Sequence, residues 1–433
     1  MLHELRGVHH TSIDMSQDST IDVLVIGGGP AGSTAATTLA QAGRRVLVLE
    51  KEKFPRFHVG ESLLPYNRQI FDELGVWPKI ESAGFMKKRG AQFLMGNGSH
   101  GMRLNFSNGS FNKFREAIHV ERSTFDDLLL THARESGAEV REECQVFDYC
   151  VGEDEVVVRY REPDGTAHDV RSRFLMDASG LSNLTANRDS LRDYYPGHKK
   201  VAIFGHFANL DMPQGDEKGD ILIVRRANSW FWLIPLEDNK TSAGLVVDRA
   251  DFQKLGKDVD QIFREAVQAT PAVRDRFARA DALGTLHAVM DFSYRNGRLV
   301  EPRLVRIGDA SGFIDPVFSS GVMLAMSGAR QGAQSVDEAL SMGAALTPGM
   351  RAYEKTNRRC IALYWEFIEN FYTLPFARVF FQPANRLRMV CAISSVLAGS
   401  TNISFSVWWR LRAFFLLVWL NKRLPVVKQI PIS

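Results

Sequence analysis

At 433 residues the chain holds one large composite domain or two to three ordinary ones. Its 45% hydrophobic content is that of a globular protein with a sizeable core, and a net charge of only +3 without a basic stripe among aromatics excludes a nucleic-acid partner. Cys144, Cys150, Cys360 and Cys391 have no C-x-x-C spacing and no neighbouring histidine pair, which excludes a disulfide frame and a metal site and points to a reducing, bacterial-type cytoplasm.

In chain order, residues 1–20 are polar and lack the apolar stretch of a secretory signal, so they read as a flexible tail; His9-His10 have no partner ligands at useful spacing. Asp22 to Ile26 is an apolar, β-branched run of the kind a buried parallel strand requires. A glycine-rich turn follows, then small residues from Ser33 to Ala40 that suit close helix–sheet packing, a stop at Gly43 and a second strand from Arg45 to Glu50. The spacing of Phe125, Leu128 and Leu129 predicts a helix over 122–136. Asp148 to Arg161 alternates like a hairpin strand with its turn at Pro163-Asp164-Gly165. Phe174 to Gly180 reads as a short strand ending in small residues, and 181 to about 297 is rich in strand signals. Leu304 to Ala310 returns to the buried-strand style. Beyond Leu340 the pattern is helical with proline breaks.

These elements predict an α/β composite. An FAD-binding Rossmann-like domain in pieces (about 21–90, 118–184 and 298–340) is interleaved with a strand-rich substrate domain (about 91–117 and 185–297), and a helical region occupies 341–433. Ile403 to Leu420 is very apolar, but Arg410 and Arg412 interrupt it, and a charge in mid-span costs roughly 2.5–3.5 kcal/mol. The favoured reading is an amphipathic helix packed on the body. The sharper one is a docking face over residues 403–428 for a membrane surface or a protein, given Lys422, Arg423 and Lys428.

Gly27, Gly29 and Gly32 satisfy G-x-G-x-x-G between a strand and a helix, where backbone can approach a pyrophosphate and the helix N-terminus faces its charge. Glu50, ending the next strand, can accept from a ribose diol. The fingerprint alone leaves FAD and NAD open. Gly308-Asp309-Ala310 at the end of a late strand resembles FAD enzymes of the para-hydroxybenzoate hydroxylase type, where the aspartate holds the ribityl chain; Asp177-Ala178-Ser179-Gly180 resembles their middle motif. No second G-x-G-x-x-G stands between a strand and a helix, so reduced flavin is expected from a separate NAD(P)H-dependent flavin reductase.

Four further segments resemble the flavin-dependent halogenases: Trp230-Phe231-Trp232-Leu233-Ile234-Pro235, residues 54–65 (FPRFHVGESLLP), Lys88-Arg89-Gly90-Ala91, and Asp315 to Val322 (DPVFSSGV). The matches run from about Ile21 to Ala329. The resemblance implies FAD supplied as FADH2 and halide as co-substrate. A flavin hydroperoxide would be captured by chloride or bromide as hypohalous acid, and Lys88 would carry the halogen to an aromatic ring. It also implies flavin contacts at Arg56, Ser62, Arg122 and Gly321, an active-site role for Glu61, a halide site at Ser320 and Gly321, and an active-site wall of Trp230, Trp232, Pro316 and Phe318. A turn opening a helix suits a small anion, and a partly desolvated lysine with a lowered pKa suits halogen transfer.

Lys87 competes for the lysine role; Lys88 is chosen because it precedes Gly90 by two. Lys87-Lys88-Arg89 also fits a solvated basic face, and Ser319-Ser320-Gly321 a plain helix cap. Tryptophan-acting members carry a glutamate where Phe318 stands and tend to be longer. The chain therefore looks more like members that halogenate pyrroles or phenols, often on a carrier protein. Ring hydroxylation, prenyl reduction and an inactive flavin-binding interaction protein stand as alternatives.

Overall fold

The computed structural model describes residues 21–108, 111–382 and 386–428; the polar N-terminal stretch with His9-His10 lies outside them. Strand Ile21–Ile26 sits mid-sheet, parallel to Val46–Leu49 on one side and to Ala167–Asp177 on the other. Leu304–Arg306 and Glu139–Arg141 extend the parallel order outward. Alternation along the first strand sends Val23 and Val25 to one face and Leu24 and Ile26 to the other. The first face packs on helices Pro30–Gln41 and Gly321–Met342, whose alanines let them lie close. The second is covered by the antiparallel strands Gln145–Val151 and Val156–Arg161.

Two sequence expectations change here. Asp148 to Arg161 is not one alternating piece: a turn closed by Gly152 N to Glu155 O splits it into two paired strands. The Pro163–Gly165 turn instead joins the second of these to Ala167–Asp177, an 11-residue strand of which the short run from Phe174 is only the buried end. Charged residues through Arg171 hid that length, because this half of the strand faces solvent and lacks an apolar pattern.

The second large sheet draws on residues 90–105, 200–248 and 281–290, with Lys200–Ala208, Lys240–Asp248, Ser229–Pro235 and Ile221–Arg225 antiparallel in that order. Its signature strand Ser229–Pro235 is apolar on both faces because both are core. Trp230, Trp232 and Ile234 enter a cluster shared with the C-terminal helices, while Phe231 and Leu233 enter a second one beneath helix Val259–Gln268. Trp232 lies flat over Gly244, where a Cβ would come within 2.2 Å of its ring. The C-terminal helices Pro348–Phe371, Leu374–Phe380, Met389–Leu397 and Phe405–Arg423 close the first cluster. In the last of them Val407, Leu411, Phe414 and Val418 form a buried stripe that packs on the body as expected, but the helix is not amphipathic, because Trp408, Leu416 and Trp419 make its outer face apolar as well. No described helix is long and apolar enough to cross a membrane.

Candidate active site

The glycine turn is shaped by close backbone approach. Gly27 has φ of +98°, and a Cβ on Gly32 would lie 1.8 Å from the Gly27 carbonyl oxygen. Glu50, just past its strand, accepts from Gly28 N at 2.6 Å and Glu52 N at 2.8 Å, so its carboxylate is fixed beside the turn. Arg56 lies over Gly29, and its buried Nη1 has no hydrogen-bond acceptor, only Asp126 at 3.4 Å. Arg122 opens helix Arg122–Glu135, makes a bidentate pair with Asp126 (2.7 and 2.8 Å) and donates to the Val59 carbonyl at 2.6 Å. Burial pushes the Asp309 carboxyl up to about 6, and the Arg122 guanidinium opposes that rise. Glycines open to a pyrophosphate, an underused guanidinium beside them, and carboxylates at both ends fit FAD.

Lys88 ends the short strand Met86–Lys88, which pairs with Ala117–His119. Strand alternation separates the two lysines: Lys87 points out into an open cleft, whereas Lys88 is 1% exposed. The Lys88 ammonium donates to Ser62 Oγ at 2.8 Å and to the Leu63 carbonyl at 3.0 Å, with the Phe106 ring 5.5 Å away. Burial drives its pKa down from 10.5 to about 7, and buried Asp220 only partly offsets this. His119 lies near enough for the Lys88 charge to depress its pKa further below a value that burial already lowers, and its Nδ1 has no partner. Ser62, expected as a flavin contact, is thus the residue that anchors the lysine. Its neighbour Glu61 is also buried, with Oε1 2.5 Å from His206 Nε2.

At the turn expected to hold halide, Asp315 caps Pro316–Phe318 through Val317 N (3.0 Å), Ser319 adopts φ of +56°, and Gly321 begins a helix of 22 residues. Ser320 is fully buried, makes no cap bond, and its Oγ has no partner. An orphaned hydroxyl beside the free N–H groups of a long helix fits a small anion. Phe318 packs among Phe93, Phe367 and Phe371, while Trp230 and Trp232 sit in the same core, 5.9 Å apart. Trp230 also reaches the turn: its Nε1 donates to Tyr372 OH, which donates to Asp315 Oδ2, both at 2.8 Å.

Sequence reading missed His206, His119, Asp220 and Tyr372. None stands in a recognisable motif, and each meets its partner only through long-range packing. Asp220, next to Gly219 in a turn before a strand, offered at most a weak local signal.

The FAD binding domain family model matches residues 20–365. The chain is 32% identical over 380 residues to a 1H-pyrrole-2-carbonyl-peptidyl-carrier-protein chlorinase of Pseudomonas fluorescens, covering 82% of this chain and 84% of that protein. It is 35% identical over 331 residues to a tryptophan 2-halogenase of Chondromyces crocatus, covering 74% of this chain but only 62% of that longer protein. Among solved structures, the myxobacterial chondrochloren halogenase superposes with a TM-score of 0.78 at 29% identity, covering 92% of this chain and 98% of that one. With a nucleotide cradle that fits FAD, a buried lysine and an anion-ready turn on that shared fold, this chain belongs to the flavin-dependent halogenases, oxidoreductases that use FAD and a halide co-substrate.

Proposed function

We propose that the protein halogenates an electron-rich pyrrole or phenol presented on a carrier protein, with Lys88 delivering the halogen. The observation that carries this reading is the buried Lys88 amine, held by Ser62 and Leu63 and pushed down to about 7. When bound, reduced FAD with oxygen supplies the oxidising equivalent that turns chloride or bromide into hypohalous acid; a separate flavin reductase keeps it reduced.

Ser320 Oγ and the first N–H groups of helix Gly321–Met342 hold the halide. Arg56, Glu50 and Asp309 orient the cofactor, and Arg122 ties the flavin-side loop to the Asp126 carboxylate. At Lys88 the neutral amine either hydrogen-bonds hypohalous acid or takes its halogen as a haloamine with release of water. The ring then attacks the halogen and loses one proton. In this reading Glu61, buried and paired with His206, accepts that proton. Trp230, Trp232, Pro316 and Phe318 form an apolar wall that keeps water and substrate from the oxidant. Ring hydroxylation and prenyl reduction give neither Lys88 nor Ser320 a task.

The test combines reduced flavin, oxygen and chloride or bromide with pyrrolic and phenolic substrates, both free and carrier-bound. Products should show halogen isotope patterns in mass spectra. Lys88→Ala should abolish them while reduced flavin is still consumed. Hydroxylated product formed by the parent enzyme without halide would overturn the reading.

A further inference from the structure

The outer face of helix Phe405–Arg423 is apolar and cationic at once. Opposite its buried stripe, Trp408, Leu416 and Trp419 are 47%, 55% and 50% exposed. Arg412 and Arg423 fall among them at helical spacing, with Arg423 stacked on Trp419 at 3.7 Å. After Glu369 the sequence holds eight Lys or Arg and no Asp or Glu, while the whole chain carries only +3. The remainder is therefore net negative, and the positive charge is concentrated at this end. Arg412 is ion-paired with Glu366, so among the described residues the unpaired positive charge lies toward the helix end at Lys422 and Arg423, and large exposed indoles beside such charge mark a surface for an anionic partner.

The inner flank of the same helix, not its outer face, borders the segment beside the lysine chamber. Arg410 lies 5.3 Å from the Phe111 ring. Asn112, next in sequence, donates to the Phe106 carbonyl at 2.9 Å and to Ser394 Oγ on the neighbouring helix at 3.4 Å. The Phe106 ring in turn faces Lys88. We propose that the outer face of helix 405–423 docks an acidic carrier domain, whose flexible thioester arm then reaches toward Lys88. The inference rests on the carrier-bound substrate reading and adds where the carrier sits. A lipid surface would match the charge, but proximity to Lys88 favours a partner that brings substrate.

The experiment compares the parent with Lys422→Glu/Arg423→Glu and Trp408→Ser/Trp419→Ser. Each is assayed on pyrrole-2-carbonyl loaded on an acidic peptidyl carrier domain and on the same acyl group as a small pantetheine thioester. Expected are a rise of roughly tenfold or more in KM for the carrier substrate in both variants, an unchanged kcat, and unchanged kcat/KM for the small thioester. The parent's carrier KM should climb with added salt and that of the charge-reversed variant much less. A parent that halogenates only the small thioester, or neither compound, overturns the carrier reading and this inference together. A parent active on the carrier, with KM unchanged in both variants, overturns the docking surface alone. So does an unchanged carrier KM accompanied by loss of sedimentation with phosphatidylglycerol vesicles, which would assign the face to lipid.

Discussion

The Tyr372 hydroxyl donates to Asp315 Oδ2 at 2.8 Å, and so a residue just past the Pro348–Phe371 helix steadies the turn proposed to hold the halide. The same oxygen accepts from Trp230. Tyr372→Phe strands a buried indole N–H and a buried carboxylate oxygen. The expected loss is about 2–4 kcal/mol in urea unfolding, with a higher halide KM than the parent. A variant with parental stability would mean that the two groups find other partners.

Ser320→Ala removes a hydroxyl that no protein group uses. Stability should hold or rise slightly, since an unsatisfied buried polar atom disappears. The halide KM should rise roughly tenfold or more, in line with ~1.5–3 kcal/mol for a hydrogen bond to an ion, with kcat changed much less. Chloride titrations of initial rate at saturating organic substrate check this.

Lys88 sets the pH behaviour. Its folded pKa is near 7 and its unfolded value 10.5, so between them the unfolded chain binds more protons than the native one. Burying this lysine therefore costs most below pH 7, and the cost fades as pH rises toward 10.5. Lys88→Met should be more stable than the parent at pH 7, by an amount on the order of 3–5 kcal/mol less the two lost hydrogen bonds. The gap should narrow by pH 10. In parent kinetics, the neutral amine requires an acid limb in kcat/KM with an apparent pKa near 7. A flat profile between pH 6 and 8 would argue against amine chemistry.

Gly244→Ala tests the seat of the signature tryptophan. The new methyl meets the Trp232 ring at 2.2 Å, with backbone fixed on one side and packed core on the other. A loss of about 1–3 kcal/mol is expected in denaturant titration.

Local pattern carried much of this molecule. The glycine turn, the strand ends at Glu50 and Asp309, and the Asp315–Gly321 turn are each short continuous segments, because each is shaped by backbone geometry that a few neighbouring residues determine. Alternation on a three-residue strand then separates Lys88 from Lys87, a distinction that spacing to Gly90 had only suggested. What the sequence hid was pairing at a distance. Glu61 meets His206 145 residues later, and Tyr372 meets Asp315 57 residues earlier. A lone histidine or tyrosine on an apolar element carries no local sign of such a partner. The two strands read as one piece over 148–161 were separable in the sequence, because Gly152-Glu153-Asp154-Glu155 breaks the apolar pattern where the turn closes.

The Tyr372 bridge also ties catalysis to partial unfolding. The glycine turn, Glu50, Arg56 and Arg122 are built entirely upstream, whereas the Asp315 cap depends on the chain beyond Phe371. Segments of a protein open with their own free energies, often below that of global unfolding. A molecule that frays from Tyr372 onward would keep its nucleotide cradle and lose the order of the Asp315 turn proposed to hold halide. Warming would then uncouple the enzyme before melting it, leaving a flavin oxidase that spends reductant and oxygen without making a carbon–halogen bond.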